Sequence, residues 1–94
     1  MFKLPWLQLY RVEGDSMSPT LKPDSVLLGS KLIKPKPGHV SVIDRSPVSI
    51  KRIKRIDDEG IWVEGDNSEA STDSRDYGYI DPKAIKAIVF MKLL

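Results

Sequence analysis

Along the 94 residues, apolar positions come in short runs rich in Val and Ile, broken at close intervals by Pro, Gly and Asp. Runs of that length with that composition read as strands joined by short connections. The expected strands cover residues 7–12, 25–28, 39–44, 48–56, 60–64 and 85–93. Pro23-Asp24, residues 35–38 and Ser46-Pro47 mark breaks, because proline cannot donate to a strand ladder and pushes the preceding residue out of helix. Asp57-Asp58-Glu59-Gly60 supplies a turn, expected as a hairpin with a longer loop. Helix is the minority state. Asp81 can cap one helical turn with Pro82 at its first position, before Val89 and Phe90 restore strand character. The pattern predicts one all-β domain over residues 1–94, with little helix and no internal repeat.

Two features interrupt this regularity. In residues 48–56 the alternation is imperfect, so neither face of the expected strand is cleanly apolar. Two polar stretches, residues 13–21 and 65–78, each follow an apolar strand. Loops held on a rigid β scaffold are where reactive groups usually sit.

Composition narrows the function classes. A hydrophobic fraction of 40% supports one modest core. The absence of cysteine removes disulfide scaffolds, thiolate zinc sites and cysteine nucleophiles. A net charge of +2 is far from the excess of a dedicated nucleic-acid binder. The apolar opening of the chain is interrupted by Lys3, Pro5, Gln8 and Arg11, which is short of a membrane span. The expectation is a cytoplasmic protein, or a membrane-associated one if an anchor precedes residue 1. Gly14-Asp15-Ser16-Met17-Ser18 fails the nucleophile elbow at its last position, and no phosphate loop or dinucleotide fingerprint occurs. Asp57, Asp58 and Glu59 read as a solvated turn, not a metal site. No cofactor or metal is expected.

The chemistry lies in three ordered motifs: Ser16-Met17-Ser18-Pro19-Thr20-Leu21, then Ile50-Lys51-Arg52-Ile53, then Gly65-Asp66-Asn67 with Ser71-Thr72-Asp73-Ser74-Arg75 and Gly78. Together they resemble the type I signal peptidases and their relatives, over nearly the whole chain. The resemblance implies a catalytic domain of twisted antiparallel sheets, shared with LexA-type repressors. It also implies a serine endopeptidase with Ser16 as nucleophile and Lys51 as general base. Without a catalytic histidine, a neutral lysine must take the serine proton, which calls for burial of its amine. Lys54 competes for that role, but strand geometry puts Lys51 and Lys54 on opposite faces. The family position assigns Lys51 and leaves Lys54 as a solvated cation.

By the same resemblance Ser71 orients the lysine, and Asp73 with Arg75 forms a structural ion pair bracing the loop, worth only about 0–1 kcal/mol if exposed. Met17 and Pro19 fall at substrate-binding positions. The backbone N–H of Ser16 is the expected oxyanion donor. Some relatives add a side-chain hydroxyl two residues before the nucleophile, where this chain has Gly14. Where relatives carry Gly-Asp before an apolar strand, this chain has Gly38-His39, and His39 reads as a strand-start histidine without a catalytic part. The short interval between Lys51 and Gly65 resembles the mitochondrial inner-membrane peptidases and the small peptidases that trim nickel superoxide dismutase precursors.

The partner expected is a peptide or precursor protein with small residues near the cut. Two alternatives stand beside this one. A self-cleaving LexA-like domain shares the serine and lysine, although the DNA-binding helical domain of such repressors is not in these 94 residues. An inactive module would grip extended peptides along a sheet edge, with no physical need for the Ser16, Lys51 and Ser71 trio.

Overall fold

The computed structural model describes residues 4–94. Six strands form one antiparallel sheet: β1 (Leu7–Arg11), β2 (Val26–Ser30), β3 (Val40–Ile43), β4 (Ser49–Asp57), β5 (Gly60–Glu64) and β6 (Ile85–Lys92). One helical turn, α1 (Ser74–Tyr77), and 3-10 turns at Ser68–Ala70 and Pro82–Ala84 complete it. The protein is all-β, as the apolar runs predict, and each expected strand lies within two residues of an observed one. No helix of the described residues is long and apolar enough to cross a membrane. The first three residues of the opening apolar stretch lie outside those described.

Spatial order departs from chain order. The sheet runs β1-β2-β6-β3-β4-β5, with the last strand inserted between β2 and β3. The central strands are therefore buried on both faces, because successive side chains point to opposite sides. Val42 and Ala87 join Val12, Met17, Leu21, Leu27 and Ile50 in one core cluster. Their chain neighbours Ile43 and Ile88 join Ile53, Ile61 and Val63 in the other. The loop carrying Met17 and Leu21 covers the first face. Ile33, Ile80 and Ala84 close over the second.

This two-sided burial explains the imperfect alternation of residues 48–56. Ile50 belongs to one cluster and Ile53 to the other, while the strand's far end, from Lys54 to Asp57, is exposed. The pairing of β4 with β5 shifts between Ile53 and Arg55, so Lys54 bulges out of the ladder. The hairpin is tighter than the sequence suggests. Asp57 pairs with Gly60, leaving only Asp58 and Glu59 in the turn, with Glu59 N–H donating to Asp57 Oδ1 at 2.9 Å. Gly60 is required there: it has φ +126°, and a Cβ would lie 2.5 Å from the Ile80 carbonyl oxygen.

The sheet's two edges differ. Ile61 exchanges two backbone hydrogen bonds with Ile80, 3.0 and 2.9 Å, which covers the edge of β5. Among the described residues β1 pairs with β2 alone, leaving its other edge open. The first residues of β4, Ser49 to Lys51, likewise pair only with β3, since pairing with β5 begins at Arg52.

Candidate active site

Ser16 stands on the loop between β1 and β2, in a run of turns after Gly14. That glycine has φ +75° and nothing within 4 Å of where a Cβ would be. Backbone conformation therefore accounts for glycine at position 14. Ser18 N–H bonds the Asp15 carbonyl at 3.0 Å, and Ser18 Oγ donates to Asp15 Oδ1 at 3.1 Å. Leu21 N–H closes the loop onto the Met17 carbonyl at 2.9 Å. Met17, wholly buried, anchors it in the core.

The second polar stretch holds this loop from the far side of the chain. Asn67 N–H donates to the Ser16 carbonyl at 2.8 Å and Asn67 Nδ2 to the Asp15 carbonyl at 3.1 Å. Asp66 is itself clamped, receiving Arg52 Nε and Nη2 at 2.9 Å each. The same guanidinium donates to the Gly38 carbonyl at 2.8 Å. A two-pronged pair of this kind fixes direction as well as distance, so Arg52 ties β4 to the Gly65-Asp66-Asn67 segment. The Ser16 carbonyl is thus held in place, while the Ser16 N–H is committed to no acceptor among the described residues.

Lys51 follows from β4. It is 5% exposed, and its ammonium donates to Ser71 Oγ at 3.0 Å. Burial pushes its pKa below the ordinary lysine value, Asp73 pulls it back, and Arg45 and Arg75 reinforce the downward direction. Ser71 Oγ in turn donates to Asp73 Oδ2 at 2.5 Å.

Asp73 is the hub. Fully buried, it accepts from Gly65 N–H at 2.8 Å, Arg75 N–H at 3.1 Å, and Arg75 Nε and Nη2 at 3.0 and 2.6 Å. Burial alone would raise its pKa. The hydrogen bonds from Arg75, Ser71 and Gly65 outweigh burial and hold the carboxyl well below the usual carboxylate range. The Asp73–Arg75 pair is therefore not an exposed brace, because its carboxylate is out of water and binds the serine that contacts Lys51. Asp73 also caps α1, in a reciprocal box with Asp76.

Ser16 and Lys51 line one open cleft of about 640 Å3. Its walls are β1 with the residues leading to Ser16, and the segment from Arg45 into β4. No hydrogen bond joins Ser16 to Lys51 among the described residues. No protein-family model matches the chain, and no curated protein does.

Other residues singled out in the sequence fall as follows. Met17 lines the cleft from the core, whereas Pro19 is exposed and outside it. Lys54 is exposed on the bulge and takes no part in the cleft. His39 lies just before β3, its Nδ1 accepting from Lys36 N–H at 3.1 Å, and is not a cleft residue. Sequence reasoning gave no role to Gly65. A Cβ there would strike Ser71 Oγ and come within 2.6 Å of the Ser16 carbonyl oxygen, so only glycine lets the two loops meet. The capping pattern Asp73-Ser74-Arg75-Asp76 was the available signal for α1, inside a stretch that otherwise reads as loop.

Proposed function

We propose that the chain is a serine endopeptidase of the signal-peptidase type, in which Ser16 attacks the scissile carbonyl and neutral Lys51 takes its proton. The observation that carries this reading is a lysine buried in the wall of a cleft, with its amine held by Ser71 and a serine in the same cleft. Burial favours the neutral amine, the only form that can act as a base. Ser71 spends its own proton on Asp73 and so accepts from Lys51, leaving the amine lone pair for the hydroxyl of Ser16. The uncommitted Ser16 N–H is available to the oxyanion that forms on attack. The lysine then hands that proton to the leaving amine as the peptide bond breaks and, neutral again, draws a proton from the water that hydrolyses the acyl-enzyme.

An extended peptide suits the cleft. One wall is the open edge of β1, and the other includes the part of β4 that pairs on one side only. A substrate strand can hydrogen-bond such edges irrespective of its side chains. Small residues flanking the cut are the preference carried by the resemblance. The test is cleavage of a peptide library read by mass spectrometry, with Ser16→Ala as control. Wild type is expected to cut, and Ser16→Ala to keep its circular dichroism spectrum while losing turnover. Turnover in Ser16→Ala near the wild-type rate would remove Ser16 as nucleophile.

A further inference from the structure

The chain has five arginines, and three are matched to carboxylates: Arg52 with Asp66, Arg55 with Asp57, and Arg75 with Asp73 and Glu64. Arg11 and Arg45 have no carboxylate within ion-pair distance among the described residues, and these two line the cleft. They stand on opposite walls, Arg11 at the end of β1 and Arg45 in the connection from β3 to β4. Arg45 is also preoriented. Its guanidinium lies 4.4 Å from the centroid of the Tyr77 ring, a contact that steadies the cation, and the five N–H donors of a guanidinium exceed what one tyrosine can engage. Tyr77 ends the helical turn capped by Asp73, whose carboxylate binds the serine that holds Lys51, which puts Arg45 at the Lys51 end of the cleft, where bonds would be cut. The one acidic lining residue is Glu13, beyond Val12 on the β1 wall.

We infer that the cleft selects acidic peptides, with Arg45 receiving an Asp or Glu side chain next to the bond to be cut and Arg11 drawing further negative charge along the β1 wall. An unpaired guanidinium beside a binding groove keeps its planar donors for a carboxylate from outside. Opposite charge across an encounter surface also speeds association in a salt-dependent way. The inference rests on the peptidase reading of the same cleft and names its substrate class.

The test uses end-blocked peptides with a central Ala-Ala bond, differing only by Asp against Asn, or Glu against Gln, on either side of that bond. A further arm carries no acidic side chain but a free C-terminal carboxylate. The readout is the ratio of kcat/KM between acidic and amide peptides, which cancels any effect of Arg45 on the reactivity of Lys51. Wild type should favour the acidic member about 5- to 10-fold at low salt. Arg45→Gln should bring the ratio near unity, Arg45→Glu should invert it, and Arg45→Lys should recover part of it. Cleavage with no acidic preference, or a preference unchanged in Arg45→Gln, overturns the inference and leaves the peptidase reading intact. Preference confined to the free C-terminal carboxylate also overturns it. Binding of the same peptides to Ser16→Ala, read by fluorescence anisotropy, separates the two claims. Arg45-dependent binding of acidic peptides without any cleavage by wild type would uphold acidic selection and sink the peptidase. Absence of both cleavage and binding would sink both.

Discussion

At Lys51, burial strips water from the ammonium and disfavours its protonated form, with Asp73 pulling the other way and Arg45 and Arg75 adding to the effect of burial. Activity should therefore rise with pH through an apparent pKa below the ordinary lysine value of 10.5. Initial rates against pH test this. Lys51→Met should lower kcat/KM by at least about 1,000-fold, whereas Lys54→Met, on the exposed bulge, should stay close to wild type. If the two variants behave the other way round, Lys54 is the base. Stability moves in the same sense as activity. With the folded pKa below the unfolded one, a protonated Lys51 opposes folding, and stability gained from this group grows between the folded value and 10.5. Lys51→Met should thus melt no lower than wild type at pH 7 in a calorimeter. Ser71→Ala should cost about 10- to 100-fold in rate, the loss of one hydrogen bond that steers the amine.

Asp73 has a linkage of the same sign in the acid range, although there it is the charged form that the fold favours. Its folded pKa is depressed, so its contribution is complete above the ordinary carboxylate value of 3.8 and fades as the pH falls below that value. Asp73→Ala should destabilise the protein by about 3 kcal/mol at pH 7, because it strands Arg75, Ser71 and the Gly65 N–H without their acceptor. It should also flatten the acid limb of stability against pH in urea titrations. An unchanged acid limb would mean that another carboxylate governs acid unfolding.

At the scale of elements, the strands were legible because Val and Ile runs bounded by Pro, Gly and Asp leave few other conformations open. Gly60 to Glu64 was found with the bounds expected. The second strand ran further than expected, through Gly29. That glycine lies inside the ladder because a Cβ there would sit 3.0 Å from the Tyr10 ring, a constraint set by a strand elsewhere in the chain. The motifs also picked out which lysine is buried. They did not disclose that Asp73 would be a wholly buried hub, since that depends on Gly65, Ser71 and Arg75 converging in space. Gly65→Ala tests this convergence. It should displace Ser71 and the Ser16 carbonyl together, lowering both the melting temperature and activity, with a stability loss of about 1–3 kcal/mol. A fully active Gly65→Ala would show that the two loops can separate without consequence.

Across the whole molecule, strand order was the part that local pattern could not reveal. Nothing in residues 85–93 states that this strand pairs with β2 on one side and β3 on the other, because that choice is made by burial of both faces at once. The same arrangement decides when the site can exist. The loop bearing Ser16 is fastened by Asn67, Lys51 is steered through Ser71 and Asp73, and Asp73 is neutralised by Arg75. A ribosome that has released the chain only as far as Gly60 has made Ser16, the nucleophile proposed above, without the residues that hold its loop. On the proposed peptidase reading, the growing chain gains cutting ability only after residues 65–78 have emerged and folded back onto the Ser16 loop.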